Sequence, residues 1–185
     1  MAEARRFARL SARPSERRGT FALPEDGMCL SAYLVVHRVR SPGEVLLGRA
    51  RPDGPWERVA CLDAERLRTL GDRWVLPATQ LLLFEGPDQA ARRIAEEMLG
   101  DPDLAVGSPA VYSEAYPRPL GRRDPHWDLH FVYTIPWPDG RPIPSVGALW
   151  RELRFVPVGE TPADAFGRGH GDVLALTGRP PHPAP

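Results

Sequence analysis

The residues most able to do chemistry lie in one short segment, residues 85 to 97. Glu96 and Glu97 follow Arg93 by three and four positions, so a helix would present all three side chains on one face. That face would carry one cation and two anions, and we expect Arg93 to reach both carboxylates. Such pairing would satisfy the carboxylates without a metal ion, because the guanidinium supplies the positive charge.

The helix that positions these side chains is predicted over residues 87 to 99. Gly86-Pro87 precedes it, since proline is favoured at the first helical position, and Gly100 follows it. Apolar side chains recur along it at helical spacing: Pro87, Ala90, Ala91, Ile94 and Met98. The stripe predicts that one face of the helix packs against a sheet while the charged face meets solvent.

Strands are predicted on both sides of this helix. The β-branched and apolar segments 28–40 and 44–50 flank a Ser41-Pro42-Gly43 turn and indicate a hairpin. Segments 110–116, 126–136 and 154–158 have the same character. Residues 51–73 are polar and indicate an elaborated loop with a short helix over 63–70, whereas 78–84 is apolar enough for a buried strand or an apolar pocket.

Residues 74 to 100, WVLPATQLLLFEGPDQAARRIAEEMLG, resemble the Nudix box, whose pattern is G-x5-E-x7-R-E-U-x-E-E-x-G-U with U a bulky apolar residue. Aligned on the Glu pair, the matching residues are Arg92, Ile94, Glu96 and Glu97. The departures are Ala78 at the first Gly, Phe84 at the first Glu, Arg93 at the second Glu and Leu99 at the last Gly. A shift of one residue would bring Glu85 close to the first acidic position.

The resemblance extends over about residues 27 to 178 and implies a Nudix-type α/β/α sandwich with a mixed central sheet. Nudix enzymes cleave a diphosphate joined to another group, and helix carboxylates hold magnesium or manganese against it. It follows that Glu96 and Glu97 are the candidate catalytic residues, and that these two with Glu85 are the candidate metal ligands. Because the box is incomplete, we predict either a Mg or Mn cofactor, if the chain is active, or no cofactor.

Arg49 and Arg51 follow the second strand, where many Nudix proteins place a cationic contact to substrate phosphate. The resemblance therefore implies that both are substrate-binding residues. The function that it implies is the binding of a nucleotide-like or diphosphate-containing ligand, with diphosphate hydrolysis weak, non-standard or lost. The alternative is a noncatalytic module for protein interaction or self-association as a homodimer.

A separate metal site is a third hypothesis. In an extended strand over residues 126–136, the side chains of His126, Asp128 and His130 point to one side. His126 and His130 would then lie about 13 Å apart, so two of the three at most could share an ion. A solvated or hydrogen-bonded strand face is the simpler interpretation.

Composition limits the partners and the organisation. The 24 basic residues, all arginine, balance 24 acidic residues, so no overall field attracts nucleic acid or anionic lipid. The apolar run Leu30 to Val36 is too short to cross a membrane. Two unpaired cysteines fit a reducing cytoplasm. We expect an Arg-rich N-terminal arm over 1–26, one Nudix-like domain over 27–178 and a Pro-rich tail over 179–185.

Overall fold

A computed structural model describes residues 28–60, 62–82, 84–116, 126–167 and 169–183. The predicted arm over residues 1–26 lies outside the described residues. Among the described residues, the longest helices are too short and too polar to cross a lipid bilayer.

The described elements follow the predicted order closely. The strands are β1 (Met28–Arg38), β2 (Glu44–Ala50), β3 (Ala78–Gln80), β4 (Ala110–Tyr116), β5 (His126–Trp137) and β6 (Trp150–Pro157). The helices are α1 (Trp56–Ala60), α2 (Ala64–Leu70), α3 (Pro87–Arg93) and α4 (His170–Leu176). Helix α3 continues as one π-helical turn, Ile94–Met98, and two short 3-10 turns span Val158–Glu160 and Ala163–Ala165.

The strands form one mixed sheet with the order β4-β5-β1-β2-β6. Strands β1 and β5 run parallel along eleven paired residues, whereas β2, β3, β4 and β6 join their neighbours antiparallel. Strand β3 pairs with β1 near the beginning of that strand, opposite Ser31 to Tyr33. This pairing places Ala78–Gln80, near the start of the box segment, beside the first residues of β1.

Each face of the sheet packs against helices. Ala32, Leu34 and Val36 of β1 face α3 in the larger core, while Val35 packs with Val173 of α4 in the smaller core on the other face. This alternation is the period of a β-strand, and it makes the fold the predicted α/β/α sandwich with a mixed central sheet. The stripe on the box helix is confirmed, because Ala90, Ala91, Ile94 and Met98 are all buried.

Local chemistry fixes both ends of the box helix. At the start, Pro87 follows Gly86, whose N–H donates to the Gln89 side-chain carbonyl at 2.8 Å. At the end, Gly100 adopts a φ of +65°, a left-handed conformation that glycine accepts without strain. The buried Trp150 indole donates to the Met98 carbonyl at 2.7 Å, which satisfies an otherwise unpaired helix-end group.

One structural prediction is wrong. Residues 78–84 do not form one buried strand or pocket wall, because β3 ends at Gln80 and Phe84 is 94% exposed. Phe84 also has a φ of +67°, the left-handed region that non-glycine residues rarely occupy. The chain turns here because the Glu85 carboxylate accepts a hydrogen bond from the Leu82 N–H at 2.7 Å. The turn carries Phe84 out of the core.

Candidate functional site

The centre of the candidate site is a salt bridge between Glu85 and Arg93. The Arg93 guanidinium donates from Nε to Oε1 at 2.7 Å and from Nη2 to Oε2 at 2.8 Å, and the two side chains are only 13% and 11% exposed. The remaining donors reach Val59 O, Thr79 Oγ1 at 3.2 Å and Gln80 O at 3.1 Å. Five hydrogen bonds use all five N–H groups of the guanidinium.

This geometry overturns the predicted pairing of Arg93 with Glu96 and Glu97. Side chains of a helix point toward its N-terminus, so Arg93 extends back over the loop that precedes α3. Its donors are then fully used by Glu85 and by the backbone around β3. Glu97 instead pairs with Arg58 of α1, at 3.4 Å. Sequence reasoning did not identify Arg58, because only the packing of α1 against the end of the box helix brings it there.

The spacing of the salt bridge agrees with a second way of aligning this chain with the Nudix pattern. In the pattern, the first Glu and the Arg are separated by eight positions, as are Glu85 and Arg93. This register is shifted by one residue from the alignment on the Glu pair. It matches four positions of the chain to the pattern: Glu85, Arg93, Glu97 and Gly100. The positive φ of Gly100 gives a physical reason for glycine at the last of these.

In that register, apolar residues occupy the other two acidic positions of the helix. Ile94 and Met98 stand there, and both are buried in the larger core with almost no exposed surface. Glu96 falls at a position that the pattern leaves unspecified, and it is exposed. The helix therefore offers Glu97 alone at a patterned acidic position, and Arg58 already compensates its charge.

These residues do not fit a magnesium or manganese ion. Magnesium takes an octahedral set of oxygen ligands, in which the protein usually supplies one or two carboxylates that are free to bind it. Both oxygens of Glu85 are held by Arg93 and the Leu82 N–H. Within the part of the chain that the structure describes, no three His, Cys, Asp or Glu side chains converge on one point with metal-binding geometry.

The charge state of Glu85 follows from the same contacts. Burial raises the pKa of this carboxyl, but the hydrogen bond from Arg93, the bond from the Leu82 N–H and the charge of Arg93 together outweigh burial and lower the pKa below its usual value. Glu85 is therefore ionised at neutral pH. Its negative charge is compensated by Arg93, at the base of the loop that precedes α3.

The structure places the two predicted substrate-binding arginines in different surroundings. The Arg49 guanidinium stacks on Trp74, 4.3 Å from the ring centre, and lies 3.2 Å from Asp72 and 3.7 Å from Glu152. Arg51 is exposed, and its backbone carbonyl accepts the Trp56 indole N–H at 2.9 Å. The charge of Arg49 is thus already balanced, whereas that of Arg51 faces solvent.

A second polar cluster occupies the other face of the sheet. His130 of β5 is buried, its Nε2 lies 3.1 Å from a Glu114 carboxylate oxygen, and its ring meets Tyr33 edge-on at 5.3 Å. Nδ1 of His130 is buried and has no hydrogen-bond partner among the described residues. The side chain of His126 lies outside the described residues. Sequence analysis missed Glu114, although the β4–β5 register could have identified it as a neighbour of Asp128.

His170 anchors α4 to this face. Its Nδ1 accepts the Leu76 N–H at 3.1 Å, and its ring packs edge-on against Tyr33 at 5.7 Å. Burial, with a smaller contribution from the charge of His130, lowers the pKa of His170 to about 4. The imidazole is therefore neutral at pH 7, as its role of hydrogen-bond acceptor requires.

The comparisons with known proteins bear on the fold. No protein-family model and no curated protein matches the sequence. Similar solved structures include a MutT protein from Methanosarcina mazei Go1, with 16% identity, a TM-score of 0.48, and coverage of 71% of this chain and 78% of that one. A MutT NUDIX hydrolase from Burkholderia pseudomallei has 16% identity, a TM-score of 0.44, and coverage of 71% and 84%.

A bifunctional NMN adenylyltransferase/ADP ribose pyrophosphatase from Francisella tularensis is also similar, with 14% identity and a TM-score of 0.51. The match covers 80% of this chain but only 40% of that longer protein. At such identities the likeness shows architecture and not activity. Together with the mixed sheet between two helical layers, it shows that this chain has the Nudix fold.

Proposed function

We propose that this chain is a Nudix-superfamily protein that binds a nucleotide-like or diphosphate-containing ligand and has weak or no metal-dependent hydrolysis of diphosphates. Likeness in fold to a protein named as an ADP ribose pyrophosphatase supports this ligand class, because ADP ribose contains a diphosphate. The zero net charge of the chain favours a small ligand over a nucleic acid, whose binding depends on a basic surface.

One observation supports the proposed loss of hydrolysis. The Glu85–Arg93 salt bridge sets the box register, and this register puts buried Ile94 and Met98 where two carboxylates would be needed. A carboxylate at either position would have to enter the apolar core, at a cost of several kcal/mol. These contacts support the proposal that the box segment holds the loop to the helix but supplies too few free carboxylates for a metal ion.

Glu97 and Glu96 are the acidic groups that remain for any residual chemistry. Glu97 is paired with Arg58, and neither acid lies within a three-ligand group among the described residues. We propose that Glu85 acts as the counterion of Arg93 and not as a metal ligand. Among the arginines predicted to bind substrate, Arg51 is the better anion contact, because Arg49 is already shared between Asp72 and Glu152.

The test is a thermal-shift screen of ADP-ribose, nucleoside diphosphates and inorganic diphosphate, each in Mg²⁺ and in EDTA. We expect a ligand that raises the melting temperature equally in both buffers, by an amount equivalent to about 2.7 kcal/mol at a hundred times its Kd. The same samples, assayed for product release with Mg²⁺ or Mn²⁺, should give turnover equal to or only slightly above that of a protein-free control. Rapid turnover that depends on Mg²⁺ and is lost in Glu97→Gln would contradict the proposal.

Two variants locate the anion contact. Arg51→Ala should weaken the stabilisation by a diphosphate ligand, because it removes an exposed cation that pairs with no carboxylate in the described part of the chain. Arg40→Ala is the matched control, since Arg40 is 87% exposed on the β1–β2 turn and pairs with Asp139 at 3.4 Å. Equal losses of stabilisation in both variants would indicate non-specific charge effects instead of a site.

The alternative function, self-association without catalysis, is favoured by a different observation. Phe84 and Val111 are large apolar side chains that remain exposed beside helix α3 and on strand β4. A contact with a second chain would remove these apolar side chains from water. Such a contact is compatible with ligand binding, because neither residue belongs to the box salt bridge or to the Arg51 region.

A further inference from the structure

The chain after α4 continues as a short non-helical segment, residues 179–182, which we call the strap. Its first residue, Arg179, donates three hydrogen bonds to backbone carbonyls. The backbone N–H donates to Leu174 O of α4 at 2.9 Å, and the guanidinium Nε donates to Pro42 O at 2.8 Å. Because Pro42 lies in the turn between β1 and β2, Arg179 fastens the end of α4 to a part of the sheet that is distant in sequence.

His182 fixes the other end of the strap. It forms a parallel bridge with Pro162, in which the His182 N–H donates to Thr161 O at 3.0 Å and the His182 carbonyl accepts the Ala163 N–H at 2.8 Å. These partners belong to the turns that precede α4. The strap therefore joins the segment before α4 to the segment after it.

Side-chain packing contributes little to this attachment. Pro181 of the strap and Phe166 line an open cleft of about 270 Å³, and most of the remaining wall consists of glycines and alanines. Burial lowers the pKa of the Arg179 guanidinium, because its charge is partly removed from water, and this loss of hydration opposes docking. Segments held mainly by a few hydrogen bonds open at a low free energy.

Helix α4 depends on its contacts with the rest of the chain. It spans only seven residues, and Val173 and Leu174 are its buried side chains. At its start, His170 accepts the Leu76 N–H through Nδ1 at 3.1 Å. A helix of this length is not stable alone in water, so α4 stays folded only while tertiary contacts hold it to the sheet.

The same helix covers a buried polar cluster. The Tyr33 ring meets His170 of α4 and His130 of β5 edge-on, at ring-centre distances of 5.7 Å and 5.3 Å. His130 Nε2 lies 3.1 Å from a Glu114 oxygen, whereas Nδ1 is buried with no hydrogen-bond partner in the described part of the chain. A buried polar atom without a partner disfavours the closed arrangement, because water would satisfy it in an open one.

We infer that the strap holds α4 closed over the Tyr33–His130–Glu114 cluster, and that its release lets α4 separate from the sheet as one unit while the strands stay folded. Water then reaches the cluster. A partner that bound the strap in place of its present backbone contacts would control access to this face of the sheet. The device lies on the opposite face from the box helix and does not rest on the proposed function.

Two neighbouring amides distinguish release of α4 from general unfolding. The Val75 N–H donates to Gly48 O of β2, whereas the Leu76 N–H donates to His170 of α4. Native-state hydrogen exchange of the full chain, measured by NMR, gives a protection factor for each. We expect Leu76 to open together with Val173 of α4 and to have a protection factor at least about tenfold lower than that of Val75. Equal protection at Leu76 and Val75 would overturn the inference.

Arg179→Ala and His182→Pro each weaken the strap at one end. The first removes the hydrogen bond of a charged group to Pro42 O, and the second removes the N–H that donates to Thr161 O. Each should lower the protection factors of Leu76 and Val173 by about fivefold or more, the change expected from the loss of one such hydrogen bond. Unchanged protection at these two amides in either variant would overturn the role of the strap.

Arg68→Ala is the matched control, since Arg68 is exposed and donates to Ala64 O within its own helix α2. It should leave every protection factor within about twofold, and an effect as large as that of Arg179→Ala would contradict the inference. Diethyl pyrocarbonate, which modifies accessible imidazoles, gives a second readout. Modification of His130, located by mass spectrometry, should be about fivefold faster or more in Arg179→Ala than in wild type. An unchanged rate would show that α4 does not cover the cluster.

Discussion

Replacing Arg93 by Met tests whether the Glu85–Arg93 pair holds the box loop to its helix. Methionine keeps an unbranched apolar stem but removes five hydrogen bonds and the positive charge. The Glu85 carboxylate, 11% exposed, would keep the Leu82 N–H as a donor but lose its counterion. Breaking a largely buried ion pair from one side costs about 3–5 kcal/mol.

For a chain of this size, that cost corresponds to a fall in melting temperature of about 10 °C. Chemical denaturation of Arg93→Met, Glu85→Gln and the double variant would give the coupling energy of the pair, which we expect to be about 2–3 kcal/mol. A coupling below about 0.5 kcal/mol, the usual value for exposed pairs, would refute the structural role of the salt bridge.

The pH dependence of the same variant has a defined sign. In the wild-type protein the folded pKa of Glu85 lies below its unfolded value, so its contribution to stability is present above the unfolded pKa and lost as pH falls through the folded one. In Arg93→Met, burial without the counterion raises the folded pKa instead. The stability difference between the two proteins should therefore shrink on acidification, and a difference that widens would contradict this assignment.

Three further predictions concern other parts of the molecule. Gly48→Ala should destabilise the fold by about 1–3 kcal/mol in urea denaturation, because a Cβ there would come within 2.2 Å of the buried Trp150 ring; an unchanged midpoint would show that the ring can move. Burial lowers the pKa of His170 to about 4, so between pH 6.5 and pH 4 this imidazole binds a proton mainly in the unfolded state. The free energy of unfolding should therefore fall by about 2–3 kcal/mol between these two pH values. His170→Gln should flatten that part of the pH profile, and a profile identical to wild type would remove His170 from the explanation. Arg51→Ala, but not Arg40→Ala, should reduce the thermal stabilisation by a diphosphate ligand. A larger reduction in Arg40→Ala than in Arg51→Ala would show that Arg51 is not the anion contact.

The sequence was sufficient to predict the helices and strands discussed here because their signals are local and periodic. The apolar stripe of the box helix, Pro87 at its start and Gly100 at its end predicted an element that the structure confirms within one or two residues. Strand β2 agrees at both ends, since a turn precedes it and Arg51 begins a polar loop. Alternating faces of β1 then require a helical layer on each side.

The charge pairing of the site could not be predicted in the same way. Helical spacing brings Arg93 near Glu96 and Glu97 on a wheel diagram, but a long side chain extends toward the start of its helix and finds Glu85 eight residues earlier. The partner of Glu97 is Arg58, which is distant in sequence and is positioned by tertiary packing. A helical wheel shows neither the direction in which a side chain extends nor the neighbours from other elements, so it offers candidate residues but not their contacts.

This difference changes the physical reason for the weak metal binding that we propose. The sequence predicts that Arg93 pairs with Glu96 and Glu97 and so satisfies both carboxylates without a metal ion. When the pattern is aligned on the Glu85–Arg93 pair, Arg93 stands at its Arg position, and the buried residues Ile94 and Met98 stand at two of its acidic positions. Arg93→Glu would therefore place a second carboxylate beside Glu85 and destabilise the loop without creating a site for a divalent cation.

Isothermal titration of the wild-type chain with Mn²⁺, followed by the same titration of Glu97→Gln, tests the central claim most directly. We expect no stoichiometric binding tighter than about 1 mM, which corresponds to about 4 kcal/mol, and no difference between the two proteins. One tightly bound Mn²⁺ per chain that disappears in Glu97→Gln would contradict it.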